Sequence, residues 1–252
     1  METITSRQNP LMTHIRKLAG SAAYRRQTGQ CLCDSPKLLR EAAQWGAEVQ
    51  TVVSVEPWPE PLPEKVRQVL VPPEVMASIS PAKTPQGVLF TCRVPVLPVP
   101  ETLPGRRYVV LDGVQDPGNV GAVLRTADAF GCTGALLLPG CADPYSLKTL
   151  RASMGAVFRL PLYTVTLPQL LSQKTFGKVY IMLGINELGN DLDDITAKFS
   201  SLIDTVRAAQ PDAIIFVEAN LHVGPSRSST DATFNNPRID KLNEKLAALA
   251  DG

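Results

Sequence analysis

Between Tyr108 and Leu138 the period of the apolar positions changes twice. Tyr108-Val-Val-Leu111 is a short apolar run of β-forming residues, which predicts a strand. Asp112-Gly113 ends it. Asp116-Pro-Gly-Asn119 is turn chemistry and a helix start, with Asp116 or Asn119 able to cap and Pro117 in the first turn. Val120, Val123, Leu124 and Ala127 then recur at helical spacing and would face a core. Gly131 stops the helix, and Ala135-Leu-Leu-Leu138 predicts a second buried strand. The polar loop of this β-loop-α-β unit lies at the carboxyl end of its first strand, the edge where open α/β sheets bind ligands.

The same reading organises the rest. Residues 1–30 predict a basic helical segment with Leu11, Ile15 and Leu18 inward. Gly29 to Pro36 predicts a strand and turn, Lys37 to Trp45 a helix, and Val49–Val55, Val66–Val71 and Val88–Cys92 strands. Residues 56–104 hold 12 of the 22 prolines. Proline cannot join a central ladder and stiffens extended chain, so 95–105 is expected to be an interdomain linker. Beyond the central unit, Leu147, Leu150 and Met154 follow helical spacing, and Phe158–Leu162 predicts a strand. In the tail, Lys178–Leu183 predicts a strand, Ile195 to Val206 an amphipathic helix, Ala213–Val217 a strand, and Asn236-Pro237 the start of a last helix. The fold class is α/β.

Composition narrows the function. A chain of 252 residues, 44% hydrophobic and 19% charged, can bury a core. Its net charge of +1 does not single out a nucleic-acid protein. The charge is uneven, however: residues 1–177 carry 18 Lys+Arg against 13 Asp+Glu, and residues 178–252 carry 7 against 11. Arg7, Arg16, Lys17, Arg25 and Arg26 cluster near the start, either as the wet face of an amphipathic helix or as a phosphate-tracking RNA surface. Five cysteines without a C-x-x-C pair suggest a reduced, cytoplasmic chain without a metal. No apolar run approaches the ~20 residues of a membrane span.

Asn119 at the helix mouth and Arg125 beside the apolar stripe are hard to explain by packing. A cap and a solvated arginine would account for them in an arbitrary helix. The whole string, LDGVQDPGNVGAVLRTADAFG over 111–131, resembles the first motif of the SpoU/TrmH family of RNA ribose 2'-O-methyltransferases. The opening ITSRQNP…HIRKLAGSAAYRRQTGQCLCD…KLLREA resembles the substrate-binding domain that precedes the catalytic domain in that family, and RASMGAVFRLPLY after residue 150 continues the likeness. The resemblance covers residues 1 to about 165. It implies a small α/β substrate-binding domain over 1–94, then a SPOUT-like methyltransferase sheet beginning at 106–170. It further implies rRNA or tRNA as partner, a homodimer, and S-adenosylmethionine as methyl donor. Asn119 and Arg125 would organise the ribose and adjacent phosphate. A ribose hydroxyl is a poor nucleophile at neutral pH, so positioning and proton removal must supply much of the rate. Arg151 and Ser153 fall either on the RNA side or on an ordinary helix surface.

The family's later cofactor motifs are not intact. Leu183-Gly-Ile-Asn-Glu-Leu-Gly-Asn190 and Asn220-Leu-His-Val223 are degraded counterparts, and the polar Gly224–Asp231 stretch replaces a buried threading helix. Residues 178–252 instead resemble the SGNH (GDSL-type) hydrolases around their Gly-x-Asn-Asp block. That likeness would make Asn186 an oxyanion donor. The serine and histidine blocks of that family have no counterpart here. A seam near 163–178 is therefore expected, with a foreign or divergent α/β tail. Methyl transfer is expected to be weak or absent, the alternatives being a non-catalytic RNA-binding protein or a fusion carrying an incomplete esterase fragment. A still-knotted divergent enzyme would bring Gly184 and Leu221–Val223 together around the donor.

Overall fold

A computed structural model describes residues 2–250 and divides the chain into two compact units, Met1–Thr166 and Leu167–Gly252. The first unit opens with strand β1 (Glu2–Thr3) and helices α1 (Pro10–Gly20) and α2 (Ala22–Thr28). The single basic helix expected here is two. The Ser21 N–H closes α1 on the Lys17 carbonyl, and the Ser21 hydroxyl accepts from the Tyr24 N–H at 3.2 Å to start α2. Strand β2 (Gln30–Asp34), helix α3 (Pro36–Gln44), strands β3 (Val49–Ser54) and β4 (Arg67–Leu70), helix α4 (Pro73–Ile79) and strand β5 (Val88–Arg93) follow. The sheet order is β1-β4-β3-β5-β2, with β5 antiparallel to both β2 and β3. Helix α4 lies inside the proline-rich stretch, where prolines at its start hid a helical period of Val75, Met76 and Ile79.

Alternation along these strands sorts side chains into two interiors. Leu32, Val53, Val69 and Leu89 face Met12, Ile15 and Leu18 of α1 and Met76 and Ile79 of α4. Cys31, Cys33, Val52 and Phe90 face the other way, onto Leu38 and Leu39 of α3. That second interior does not end at the domain boundary. It continues into Leu111, Val120, Leu124, Leu137 and Leu150, all in the segment after the linker.

That segment follows residues 94–107, which hold no helix or strand. Strand β6 (Tyr108–Leu111), helix α5 (Pro117–Ala129), strand β7 (Gly134–Leu137), helix α6 (Leu147–Ser153) and strand β8 (Leu162–Thr164) form a parallel sheet of order β6-β7-β8 with its helices. Asp116, not Asn119, caps α5. Helices α5 and α6 meet backbone to backbone: a Cβ on Gly121 would sit 2.6 Å from the Thr149 carbonyl oxygen. Met154 is not core. It ends α6 in the left-handed region at φ 52° and is exposed. The strand expected over Phe158–Leu162 is displaced, because a 3-10 turn at Ala156–Phe158 delays it to β8.

The second unit contains helix α7 (Leu167–Ser172), strand β9 (Lys178–Ile181), helix α8 (Leu192–Ala209), strand β10 (Ile214–Val217) and helices α9 (Pro225–Thr230) and α10 (Asn236–Ala247). Strands β9 and β10 pair in parallel as a sheet of their own. Its core is Ile181, Leu188, Ile195, Phe199, Ile239, Leu242 and Leu246. Buried Gln210 ties the end of α8 to α7, donating to the carbonyls of Leu171 at 2.6 Å and Lys174 at 2.9 Å. No residue of α9 is buried. No helix among the described residues is long and apolar enough to cross a membrane.

Candidate functional site

The loop after β6 is braced from both sides. The Asp116 carboxylate accepts from the Asn119 N–H at 3.0 Å and from Lys148 Nζ of α6 at 2.6 Å. Both bonds favour its charged form, the lysine first, and hold its pKa below the ordinary carboxylate value. A Cβ at 118 would lie 2.7 Å from the capping oxygen of Asp116, so a side chain there would displace the cap. On the other side, the Ala142 N–H donates to the Val114 carbonyl at 2.9 Å, and Cys141 Sγ donates to the Leu111 carbonyl at 3.2 Å. The braced loop presents Asn119, whose side chain is exposed and has no partner among the described residues. Arg125 is likewise exposed and unpaired. Six residues of α-helix separate the two, which sets them about 120° apart around α5 and roughly 9 Å along it. They share a helix but not a face.

The basic cluster near the start is not one surface. Arg7, Arg16, Lys17 and Arg26 are exposed. Arg16 donates to the carbonyls of Arg7 at 2.8 Å and Ser78 at 3.2 Å, and Lys17 lies over the Tyr24 ring. Arg25 leaves the group. It is 6% exposed, pairs with Asp143 at 2.7 Å and donates to the Leu18 carbonyl at 2.6 Å. Its guanidinium is consumed inside the protein, because a charge that deep requires a partner. Asp143 passes the anchoring on, since its other oxygen accepts from the Tyr145 N–H at 2.8 Å. The α2 arginine thus holds the segment whose Ala142 N–H braces the loop. Arg151 and Ser153 are also taken up within the protein, the first at the surface and the second buried. Arg151 pairs with Asp34 of β2, and the buried Ser153 hydroxyl donates to the Leu150 carbonyl. Arg159 makes a third bridge of this kind, joining Glu41 of α3 to Asp128 of α5. Lys148, Asp143 and Arg159 are supports that the sequence did not reveal, because no periodicity relates positions 31 to 118 residues apart.

In the second unit, Asn186 lies in a 3-10 turn, Ile185–Glu187, exposed and without a side-chain partner among the described residues. His222 pairs with Asp240 at 2.6 Å on the surface. Gly184 has φ 99°, and a Cβ there would lie 3.3 Å from both Leu242 and Phe199. The glycine packs against the unit's own apolar core and the Asn220 amide, which a Cβ there would approach to 3.5 Å. Asn220 is buried beside it. Its backbone is clamped by Asn243, and its Nδ2 has no hydrogen-bond partner. Among the described residues no group of three or more His, Cys, Asp or Glu is arranged to hold a metal ion.

Residues 106–217 match the SpoU rRNA methylase family, and residues 9–89 match the MRM3-like substrate binding domain. The SpoU match crosses the division after Thr166 and covers β9, α8 and β10, which the sequence had likened to a hydrolase. An uncharacterized tRNA/rRNA methyltransferase of Synechocystis sp. is 36% identical over 183 residues, 68% of this chain and 65% of that protein. The chain thus spans just under two thirds of that relative's length. A 23S rRNA (guanosine-2'-O)-methyltransferase of Bacillus subtilis is 29% identical over 71% of this chain and 73% of its own. The crystal structure of an AdoMet-bound rRNA methyltransferase from Sinorhizobium meliloti superimposes with a TM-score of 0.63 at 22% identity, covering 99% of each chain. The fold is therefore the mixed α/β fold of that structure.

Proposed function

We propose that the chain is a member of the SpoU/TrmH family, an RNA 2'-O-methyltransferase-type protein in which RNA binding persists and methyl transfer is weak or absent. The substrate class is rRNA or tRNA, and the donor that solved relatives hold is S-adenosylmethionine. Asn119 and Arg125 are assigned to the ribose and its phosphate. The observation that carries this is the contrast in readiness between the two halves of the matched stretch. The loop of Asn119 is capped, bridged to Lys148 and tied to Val114, and still offers unpaired polar groups to solvent. The surroundings of Gly184 are filled by Leu242 and Phe199. A transfer reaction needs both reactants held in register, and the apolar packing around Gly184 is what favours the impaired reading. Arg7, Arg16, Lys17 and Arg26 supply sequence-independent attraction to phosphate.

Calorimetry on the full chain tests this, with a ribosomal RNA fragment and S-adenosylmethionine titrated separately. RNA binding whose affinity falls steeply with salt, without heat from the donor at micromolar concentration, is the expected pair of results. Arg125→Ala should weaken RNA binding and reduce the salt slope by about one. Micromolar donor binding would overturn the impaired reading, and RNA binding indifferent to Arg125 would overturn the assignment of that residue.

A further inference from the structure

Helix α5 buries Val120, Leu124 and Ala127. Asn119, Val123, Thr126 and Phe130 recur at helical spacing on another face, so the apolar surface there runs on from the loop of Asn119. A cavity of about 370 Å³ opens along this face, lined by Val109 of β6 and by Val123, Thr126, Ala127, Phe130 and Cys132. Its lining is almost wholly apolar. The Phe130 side chain forms one wall and is 71% exposed. A space of this size falls within the ~300–1,000 Å³ of small-ligand sites.

A cation stands beside the cavity. The Arg107 carbonyl accepts from the Thr133 N–H at 2.7 Å, which carries the β6 ladder one residue back. Alternation then puts Arg107 on the α5 side of the sheet with Val109. A Cβ on Gly131 would lie 3.6 Å from its Nη2, so the guanidinium lies against the turn that joins Phe130 to Cys132. That guanidinium is exposed and has no partner among the described residues. The one acid of α5, Asp128, is taken by Arg159. We propose that this groove is a nucleotide subsite, in which one base of a single-stranded RNA stacks on Phe130 and its phosphate is held by Arg107.

The subsite rests on the RNA reading above and extends it. Asn119 lies on the same face ~16 Å along the helix axis, so the groove takes a nucleotide flanking the one at Asn119. An apolar peptide segment would fill the cavity but leave Arg107 without a counter-charge, whereas a nucleotide supplies a flat apolar face and an anion together. The groove also selects among bases. The Thr126 hydroxyl spends its proton on the Ala122 carbonyl at 3.0 Å, so towards a ligand it offers only lone pairs. A base with an exocyclic amine meets that acceptor, and uracil does not.

Fluorescence anisotropy of the full chain with short single-stranded adenosine and uridine oligonucleotides tests this, with far-UV circular dichroism confirming the fold of each variant. Wild type should bind the adenosine strand more tightly, and Thr126→Val should erase that preference. Phe130→Ala should weaken binding about tenfold and Phe130→Trp should retain it. Arg107→Ala should lower the salt slope by about one, and Arg107→Lys should keep it. A 2-aminopurine in the strand should be quenched by wild type and not by Phe130→Ala. Equal affinity for the two strands overturns the role of Thr126. Full RNA affinity in Phe130→Ala and Arg107→Ala, with Arg125→Ala still weakened, overturns the subsite and leaves the RNA reading standing. A wild type that binds neither strand overturns both. Altered sedimentation of Phe130→Ala at unchanged RNA affinity makes the groove a protein contact and also overturns the subsite.

Discussion

In the first unit a sheet of five strands is covered on both faces, by α1 and α4 on one side and by α3 with α5 and α6 on the other. In the second a sheet of two strands is covered on one face and shows Tyr180, Met182, Ile214 and Phe216 on the other. The first unit joins two stretches that sequence separates by a proline-rich linker, and gives them one interior. Covalent spacing and physical partition are therefore different things. A linker sets where the chain changes task, whereas shared burial sets what folds together.

The largest expected effect tests that shared interior. Leu124 is fully buried in the common core, and Leu124→Ala should cost roughly 2–5 kcal/mol. Both tryptophans, Trp45 and Trp58, lie before the linker, so their fluorescence follows that stretch and its contact with Arg159, whose guanidinium lies 5.7 Å from the Trp45 ring. A fall in the tryptophan-detected denaturation midpoint is expected, although Leu124 lies after the linker. Leu242→Ala in the second unit should leave that midpoint in place while helical circular dichroism is lost earlier. If Leu124→Ala leaves the fluorescence midpoint unmoved, the two stretches are independent after all.

A smaller effect sharpens the comparison at its charged seam. Arg25 is buried against Asp143, and Arg25→Met should cost about 3 kcal/mol by stranding that carboxylate. Arg25→Met/Asp143→Leu should recover much of the loss, read from the same midpoint. A single variant within about 0.5 kcal/mol of wild type would mean that the pair is ornamental.

The smallest effect concerns the loop. The Asp116 pKa is lowered, chiefly by Lys148 and then by the Asn119 N–H. The cap is therefore fully stabilising above the ordinary carboxylate pKa of about 3.9 and is lost as pH falls through the lowered native value. The Asn119 amide resonance should titrate below that ordinary value, and Lys148→Met should move its midpoint upward. An unmoved midpoint would remove Lys148 from the account.

Much of the local structure was legible because it is written in near neighbours. Strands β6 and β7, the start of α5 and its stop near Gly131 follow from periodicity and cap chemistry, and Asn119 and Arg125 stood out as polar groups without a packing role. The misses among the arginines have one cause. Arg25 reads as one of five clustered cations until the fold brings Asp143 to it, and Arg151 and Arg159 find Asp34 and Glu41 more than a hundred residues away. Met154 kept the helical period, but Gly155 after it, at φ 90°, turns the chain and leaves Met154 on the surface. In the tail, period predicted β9, α8, β10 and α10, but it missed α7 and the short helix α9 within the polar Gly224–Asp231 stretch, and it did not show that β9 and β10 would form a separate sheet.

Cys31, Cys33 and Cys92 sit where the common interior is sealed by residues from the far side of the linker. Burial first, and then the neighbouring thiols, push the Cys33 pKa well up, so it stays in the protonated form that neither alkylates nor oxidises readily. The methyltransferase-like stretch is thereby a chemical shield for the one before it.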